Sequence, residues 1–131
     1  MKKDIEIPKV EGIYMAVCHQ YNATFKSDDW YAYLINDKSV PLEQVIVVSK
    51  GENKKNKTAV LRHKLAVLPA KSGAKIELMQ QEVLALDNIF HVSFFIANKM
   101  FDKTFVFPKN SISKSKLKSI PLLGKEGVLQ L

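Results

Sequence analysis

Cysteine occurs once in this chain, at Cys18, and arginine once, at Arg62. A single thiol excludes an intrachain disulfide and fits a reducing compartment, so the expected location is the cytoplasm. Arg62 stands alone among 20 Lys and Arg. The chain therefore lacks the bidentate reader of phosphate and guanine, and relies on lysine, a solvated point charge. Only five glycines are present. No Gly-x-Gly-x-x-Gly, phosphate-loop or Gly-x-Ser-x-Gly sequence occurs, which removes the usual nucleotide cradles and the hydrolase nucleophile elbow. No apolar run approaches the length of a membrane helix. The opening Met1 to Pro8 carries lysines but no apolar stretch, so no signal peptide is expected.

Metal and nucleophile signatures are missing too. His19, His63 and His91 are scattered, with no His-x-His or Cys-x-x-Cys spacing to support a metal site. Cys18 and His19 are adjacent, and neighbours on a strand point to opposite faces, so they cannot form a dyad. Asp28-Asp29 reads as a solvated turn, not as a pair of catalytic carboxylates. The expectation is a protein that is not an enzyme, with no catalytic residue, metal or cofactor.

What is present is an ordinary globular composition, 47% hydrophobic and 25% charged, in 131 residues. That is one domain, residues 1–131, with a core of useful size. The clearest pattern spans Phe90 to Phe107. Apolar and polar residues alternate, break at Asn98-Lys99, and resume, as in a β-hairpin with one buried face. A turn on Asn98-Lys99 would pair Ala97 with Met100, Ile96 with Phe101, Val92 with Phe105 and Phe90 with Phe107. One face then carries Phe90, Val92, Phe94, Ile96, Phe101, Phe105 and Phe107, with Lys103 opposite Phe94 and snorkelling to water.

Further strands are expected over 12–20, 30–36 and 43–49. The run Val45-Ile46-Val47-Val48 is typical of a buried strand. Residues 1–9 read as an extended arm, 22–29 as a polar connection and 51–57 as a mobile loop tip. Residues 58–68 fit strand and helix spacing, and the strand is preferred because Pro69 closes the segment. Residues 74–80 alternate again. Residues 81–88 fit a strand extension or a helical turn, 111–119 a short helix before Pro121, and 127–131 a last edge strand. Seven or eight short strands without a long helix indicate an all-β sandwich or small barrel, and their spacing suits an immunoglobulin-like or fibronectin-like β-sandwich.

Charge is uneven. Residues 1–50 hold six Lys against seven acids, whereas residues 51–131 hold fourteen Lys and Arg against six acids. The candidate polyanion-binding residues are Lys54, Lys55 and Lys57 with Arg62 and Lys64, and a second cluster of Lys114, Lys116 and Lys118. Solubility is the competing explanation for both. Trp30, Tyr31 and Tyr33 lead an aromatic group, with Tyr21 and Phe25, that is either core or a partner-binding patch. It lies in the acidic half, away from the lysines, which weakens a single-stranded nucleic-acid reading.

Six segments together carry a likeness: Met1 to Pro8, Trp30-Tyr-Ala-Tyr-Leu-Ile-Asn36, Leu61-Arg-His63, Leu68-Pro-Ala-Lys-Ser72, Val92-Ser-Phe-Phe95 and Ile120-Pro-Leu122. The chain resembles a family of small uncharacterised bacterial proteins of about 130 residues. Some members carry the label phenylalanyl-tRNA synthetase α subunit. A synthetase core needs arginine-bearing motifs in a far longer chain, so no catalytic residue carries over. The resemblance implies one coherent domain and no particular activity. Two functions follow as expectations. The first is a protein- or peptide-binding module, with a homodimer through a sheet edge as one form of pairing. The second is an accessory nucleic-acid or tRNA-binding protein using the lysine clusters.

Overall fold

Alternating apolar residues need two layers to bury them, and the chain supplies both. The computed structural model describes residues 10–131. Among them are β1 (Ile13–Asn22), β2 (Ser27–Asn36), β3 (Leu42–Glu52), β4 (Leu61–Leu68), β5 (Ser72–Met79), β6 (Asp87–Ile96), β7 (Lys99–Phe107), β8 (Lys118–Ile120) and β9 (Lys125–Gln130). They form a five-stranded sheet, β5-β2-β1-β9-β8, and a four-stranded sheet, β4-β3-β6-β7. All strand pairs are antiparallel. Strands β1-β2-β5 face β4-β3-β6-β7, the three-plus-four connectivity of a fibronectin-like sandwich. Strands β8 and β9 extend the first sheet beyond β1. No helix of the described residues is long and apolar enough to cross a membrane.

The main core lies between the sheets. Met15, Val17, Trp30 and Leu34 come from one side, and Val45, Val47, Phe90, Phe94, Phe105 and Phe107 from the other. Phe90 meets Phe107 edge-on at 5.8 Å and Phe94 stacks on Phe101 at 5.6 Å. Each large side chain buried contributes roughly 1.5–3 kcal/mol. One end is pinned by the buried Asn36. Its amide donates to the carbonyls of Val40, Leu68 and Pro69, and its oxygen accepts from the Lys38 N–H.

The β6–β7 hairpin differs from the expected register by two residues. Ile96 pairs with Lys99, Phe94 with Phe101, Val92 with Lys103 and Phe90 with Phe105. The turn is Ala97-Asn98, both with positive φ (50° and 66°). A shift of two preserves every face assignment, because side chains alternate with period two. The observed register matches aromatic to aromatic across the strands and removes Lys103 from opposite Phe94.

Other boundaries move for local reasons. Strand β2 begins at Ser27, so the polar connection is only the four-residue turn 23–26. The 51–57 segment closes as a turn, in which Asn53 Oδ1 accepts from the N–H groups of Lys55 and Asn56. The expected helix over 111–119 shrinks to a 3-10 turn at Lys114–Lys116, and 118–120 is strand. Residues 81–85 form a second 3-10 turn. Strand β9 lies between β1 and β8 and is not an edge. The arm expected over 1–9 lies outside the described residues.

A second apolar cluster covers the other side of the five-stranded sheet. Ala16, Cys18, Tyr33 and Ile35 point away from the main core and are buried with Ile120, against Leu123 and Leu129. Two glycines permit this. A Cβ at Gly127 would fall 2.5 Å from the Val17 carbonyl oxygen and 2.9 Å from Cys18 Cα, so β9 presses directly on the β1 backbone. A Cβ at Gly73 would fall 2.4 Å from Leu123 Cδ2. The β8–β9 hairpin therefore folds across its own sheet as a strap.

Candidate functional site

Among the described residues, the four-stranded sheet has no such strap. On its outer side, Ile46 and Val48 of β3 and Ile89 and Phe95 of β6 stay half-buried, and Met100 and Val106 of β7 are exposed. Cross-strand pairing sets them side by side: Ile46 between Lys64 and Ser93, and Val48 between Arg62 and His91. The run Val45 to Val48 reads as a strand buried on both faces, yet only Val45 and Val47 are buried. A groove of about 500 Å³ crosses this side, lined among others by Ile46, Lys64, Ala66, Phe95 and Met100. It opens where β3 is irregular between Glu43 and Ile46, with Gln44 in the left-handed region (φ 49°). Such a bulge bends the strand and parts its neighbours.

A polar cluster sits between the sheets on the β4–β5 side. Ser49 Oγ donates to Glu77 Oε1 at 2.6 Å, and His63 Nε2 meets the same oxygen at 2.8 Å. A cavity of about 220 Å³ lies beside it, lined by Ser49, Thr58, Glu77 and Gln80 among others. Simple alternation over 74–80 would turn Glu77 outward with Lys75. A bulge opposite Ala32 and Tyr33 reverses the alternation, so Glu77 points inward and Leu78 is exposed. Both donors bind the carboxylate, and the serine hydroxyl is not aimed at the imidazole. The cluster ties one sheet to the other and does not activate a nucleophile. The sequence signal for it was absent, because a bulge is not written in residue types.

At the end of the sandwich, His19 Nε2 and Asp28 Oδ1 are 2.8 Å apart, and Lys114 Nζ lies 2.6 Å from Asp28 Oδ2. The lysine hydrogen bond, then that of His19, holds the Asp28 carboxyl below its ordinary value. His19 also tilts against Trp30, centroids 5.0 Å apart. His63 belongs to the Glu77 cluster, and His91 Nδ1 meets Thr104 Oγ1 at 2.9 Å on the outer side. The three histidines occupy three separate places. Among the described residues no group of three or more His, Cys, Asp or Glu is placed to hold a metal ion. Cys18 is buried beneath the strap, and burial pushes its thiol up to about 11. It is protonated at neutral pH and a poor nucleophile.

The lysines divide between two surfaces. Lys54, Lys55 and Lys57 lie in the β3–β4 turn, and Lys114 and Lys116 in the β7–β8 connection. Register puts these at one end of the sandwich: Glu52 bridges Lys57 and pairs with Asp87, and Asn88 pairs with Phe107. Lys118 follows at the start of β8. Acids share that end, including Asp28, which neutralises Lys114. Arg62 and Lys64 project instead from β4 on the outer side of the four-stranded sheet.

The aromatic group goes mainly to packing. Trp30 is 4% exposed in the main core and Tyr33 is 6% exposed under the strap. Burial takes both out of a surface patch, and it raises the Tyr33 hydroxyl above its ordinary value. Tyr31 is half-buried, with Lys75 Nζ 4.0 Å from its ring centroid. Tyr21 and Phe25 are exposed near the β1–β2 turn. Neither lines the outer groove.

The fold and surfaces thus define a fibronectin-like β-sandwich with one sheet strapped and the other left uncovered by the described residues. No family model, curated protein or solved structure matches the chain.

Proposed function

We propose that this protein is a non-catalytic protein- or peptide-binding module that uses the outer side of its four-stranded sheet. One observation carries the reading: apolar outward positions on β1 and β2 are covered by the chain's own β8–β9 hairpin, whereas no described segment covers those on β3 and β6. Apolar side chains left open on a sheet, here interleaved with the polar His91 and Ser93, suit an interaction site for an amphipathic partner. The groove at Ile46, Phe95 and Met100 supplies concavity, and Arg62, Lys64 and Lys50 supply a charged rim.

The test is capture of partners by the tagged full chain, with nuclease and salt washes, beside an Ile46→Asp variant. A defined protein that survives both washes and is lost with the variant supports the reading. Retention unchanged by the variant argues against this surface.

A second reading is favoured by a separate observation, the gathering of Lys54, Lys55 and Lys57 with Lys114 and Lys116 at one end. It is an accessory nucleic-acid or tRNA-binding role. Nucleic acid that co-purifies at moderate salt and leaves steeply as salt rises would replace the first reading with this one.

A further inference from the structure

An exposed strand edge offers unpaired N–H and C=O groups, and proteins normally blunt such edges. Three of the four edges here are blunted. Strand β8 is three residues long and runs into Pro121. Strand β5 is bulged against β2, and Leu123 sits over Gly73. Strand β7 turns Lys99 and Lys103 to the inner side, where they lie over the rings of Phe101 and Phe105 at 5.8 and 5.0 Å. Inward-pointing charges are a known guard against strand addition.

Strand β4 is neither short nor bulged, and its two cations point outward rather than inward. It is eight residues long, holds one register with β3 from Leu61 to Leu68, and contains neither Gly nor Pro. Its one inward titratable residue, His63, is engaged by Glu77. Two neighbouring cations, Arg62 and Lys64, project outward at alternate positions. Among the described residues no acid lies within ion-pair distance of either. Leu61 is 46% exposed between the apolar and charged positions.

We propose that the edge of β4, which no strand among the described residues covers, pairs with an extended acidic segment of a partner protein, whose carboxylates at alternate residues face Arg62 and Lys64. This rests on the protein-binding reading above and gives it an occupant. The unpaired backbone groups ask for a peptide backbone, which nucleic acid lacks. A second copy of this chain is the poorer occupant. Antiparallel β4–β4 pairing centred on His63 would bring Arg62 of one copy opposite Lys64 of the other, and like charges across strands are destabilising. The adjoining groove at Ala66, Ile46 and Phe95 then receives whatever follows the paired segment.

The test uses the isotopically labelled full chain and three synthetic peptides. One alternates Glu and Val, one alternates Lys and Val, and one is the Glu-Val peptide N-methylated at alternate residues. The Glu-Val peptide should shift the β4 amide resonances and bind about tenfold more tightly than the Lys-Val peptide. N-methylation should abolish binding. The double variant Arg62→Glu, Lys64→Glu, both exposed, should melt as the parent does and reverse the preference. No β4 shift at roughly millimolar Glu-Val peptide overturns the proposal, as does a preference that the double variant leaves unchanged. Peptide binding around Phe95 and Met100 without charge preference would keep the module and remove the strand pairing. A dimer joined through β4 in sedimentation and resonance mapping makes the second copy the occupant and also overturns it. An oligonucleotide that binds where no peptide does would remove both readings.

Discussion

On the five-stranded sheet, Ala16, Cys18, Tyr33 and Ile35 are buried beneath Ile120 and Leu123. On the four-stranded sheet, Ile46, Val48 and Phe95 hold the corresponding outward positions and stay half-exposed. The residue types are alike: Met15-Ala-Val-Cys18 and Val45-Ile-Val-Val48 are both unbroken apolar runs. The difference lies in what the chain brings to each surface afterwards. The β8–β9 hairpin brings Ile120 and Leu123 over the first sheet, and no described segment folds over the second. An apolar run therefore states that both sides of a strand favour leaving water; it does not say that the cover comes from the same chain.

The comparison breaks most sharply at a matched pair of truncations. Ile35→Ala removes a fully buried side chain under the strap and should cost about 2–5 kcal/mol. Ile46→Ala, on the open sheet, should cost about 1 kcal/mol or less. Urea unfolding of both variants checks this. Equal losses would mean that the two outer surfaces are equally covered.

Gly127→Ala tests the strap itself. The added Cβ meets backbone atoms of Val17 and Cys18, which cannot swing aside as a side-chain tip could. A loss of about 1–3 kcal/mol is expected. Cys18 gives a local readout, since it is 2% exposed and its thiol is pushed up to about 11. A thiol reagent should label the variant faster than the parent under native conditions. An unchanged labelling rate would show that β9 does not need glycine to press on β1.

Much of this contrast was hidden in the sequence. Alternation announced the β6–β7 hairpin and its buried side, because a two-residue register shift leaves faces unchanged. The all-β sandwich followed from short runs between turn signals. Bulges were not legible: Gln44 opens the groove and the β5 irregularity turns Glu77 inward, and neither residue type marks such a site. Trp30 and Tyr33 looked equally suited to a core and to a surface, and tertiary packing buried both. The lysine clusters were legible as charge; their placement depended on loops that only the strand order brings to one end.

On the open sheet itself, Met100→Ser replaces a side chain that is 55% exposed. Stability should change by no more than about 0.5 kcal/mol. Binding of an apolar dye to the native protein should fall, because Met100 lines the groove. A large loss of stability would mean that Met100 is already covered.

The smallest effect concerns how the strap is anchored. Lys114 precedes β8, and its ion pair with Asp28 ties the start of the covering segment to β2 of the same sheet. Because Lys114, then His19, lowers the Asp28 pKa below 3.8, the folded carboxylate binds its proton less readily than the unfolded one. The stabilisation is therefore present above the unfolded value and disappears as pH falls through the lowered folded value. Asp28→Asn should narrow the gap between stability near pH 6 and near pH 3, measured by urea midpoints. Asp28 is half-buried but its partner Lys114 is 60% exposed, so added salt should shrink the difference further. If parent and variant differ equally at both pH values, the contact acts through shape alone, and the strap holds to its sheet by its apolar side chains without help from charge.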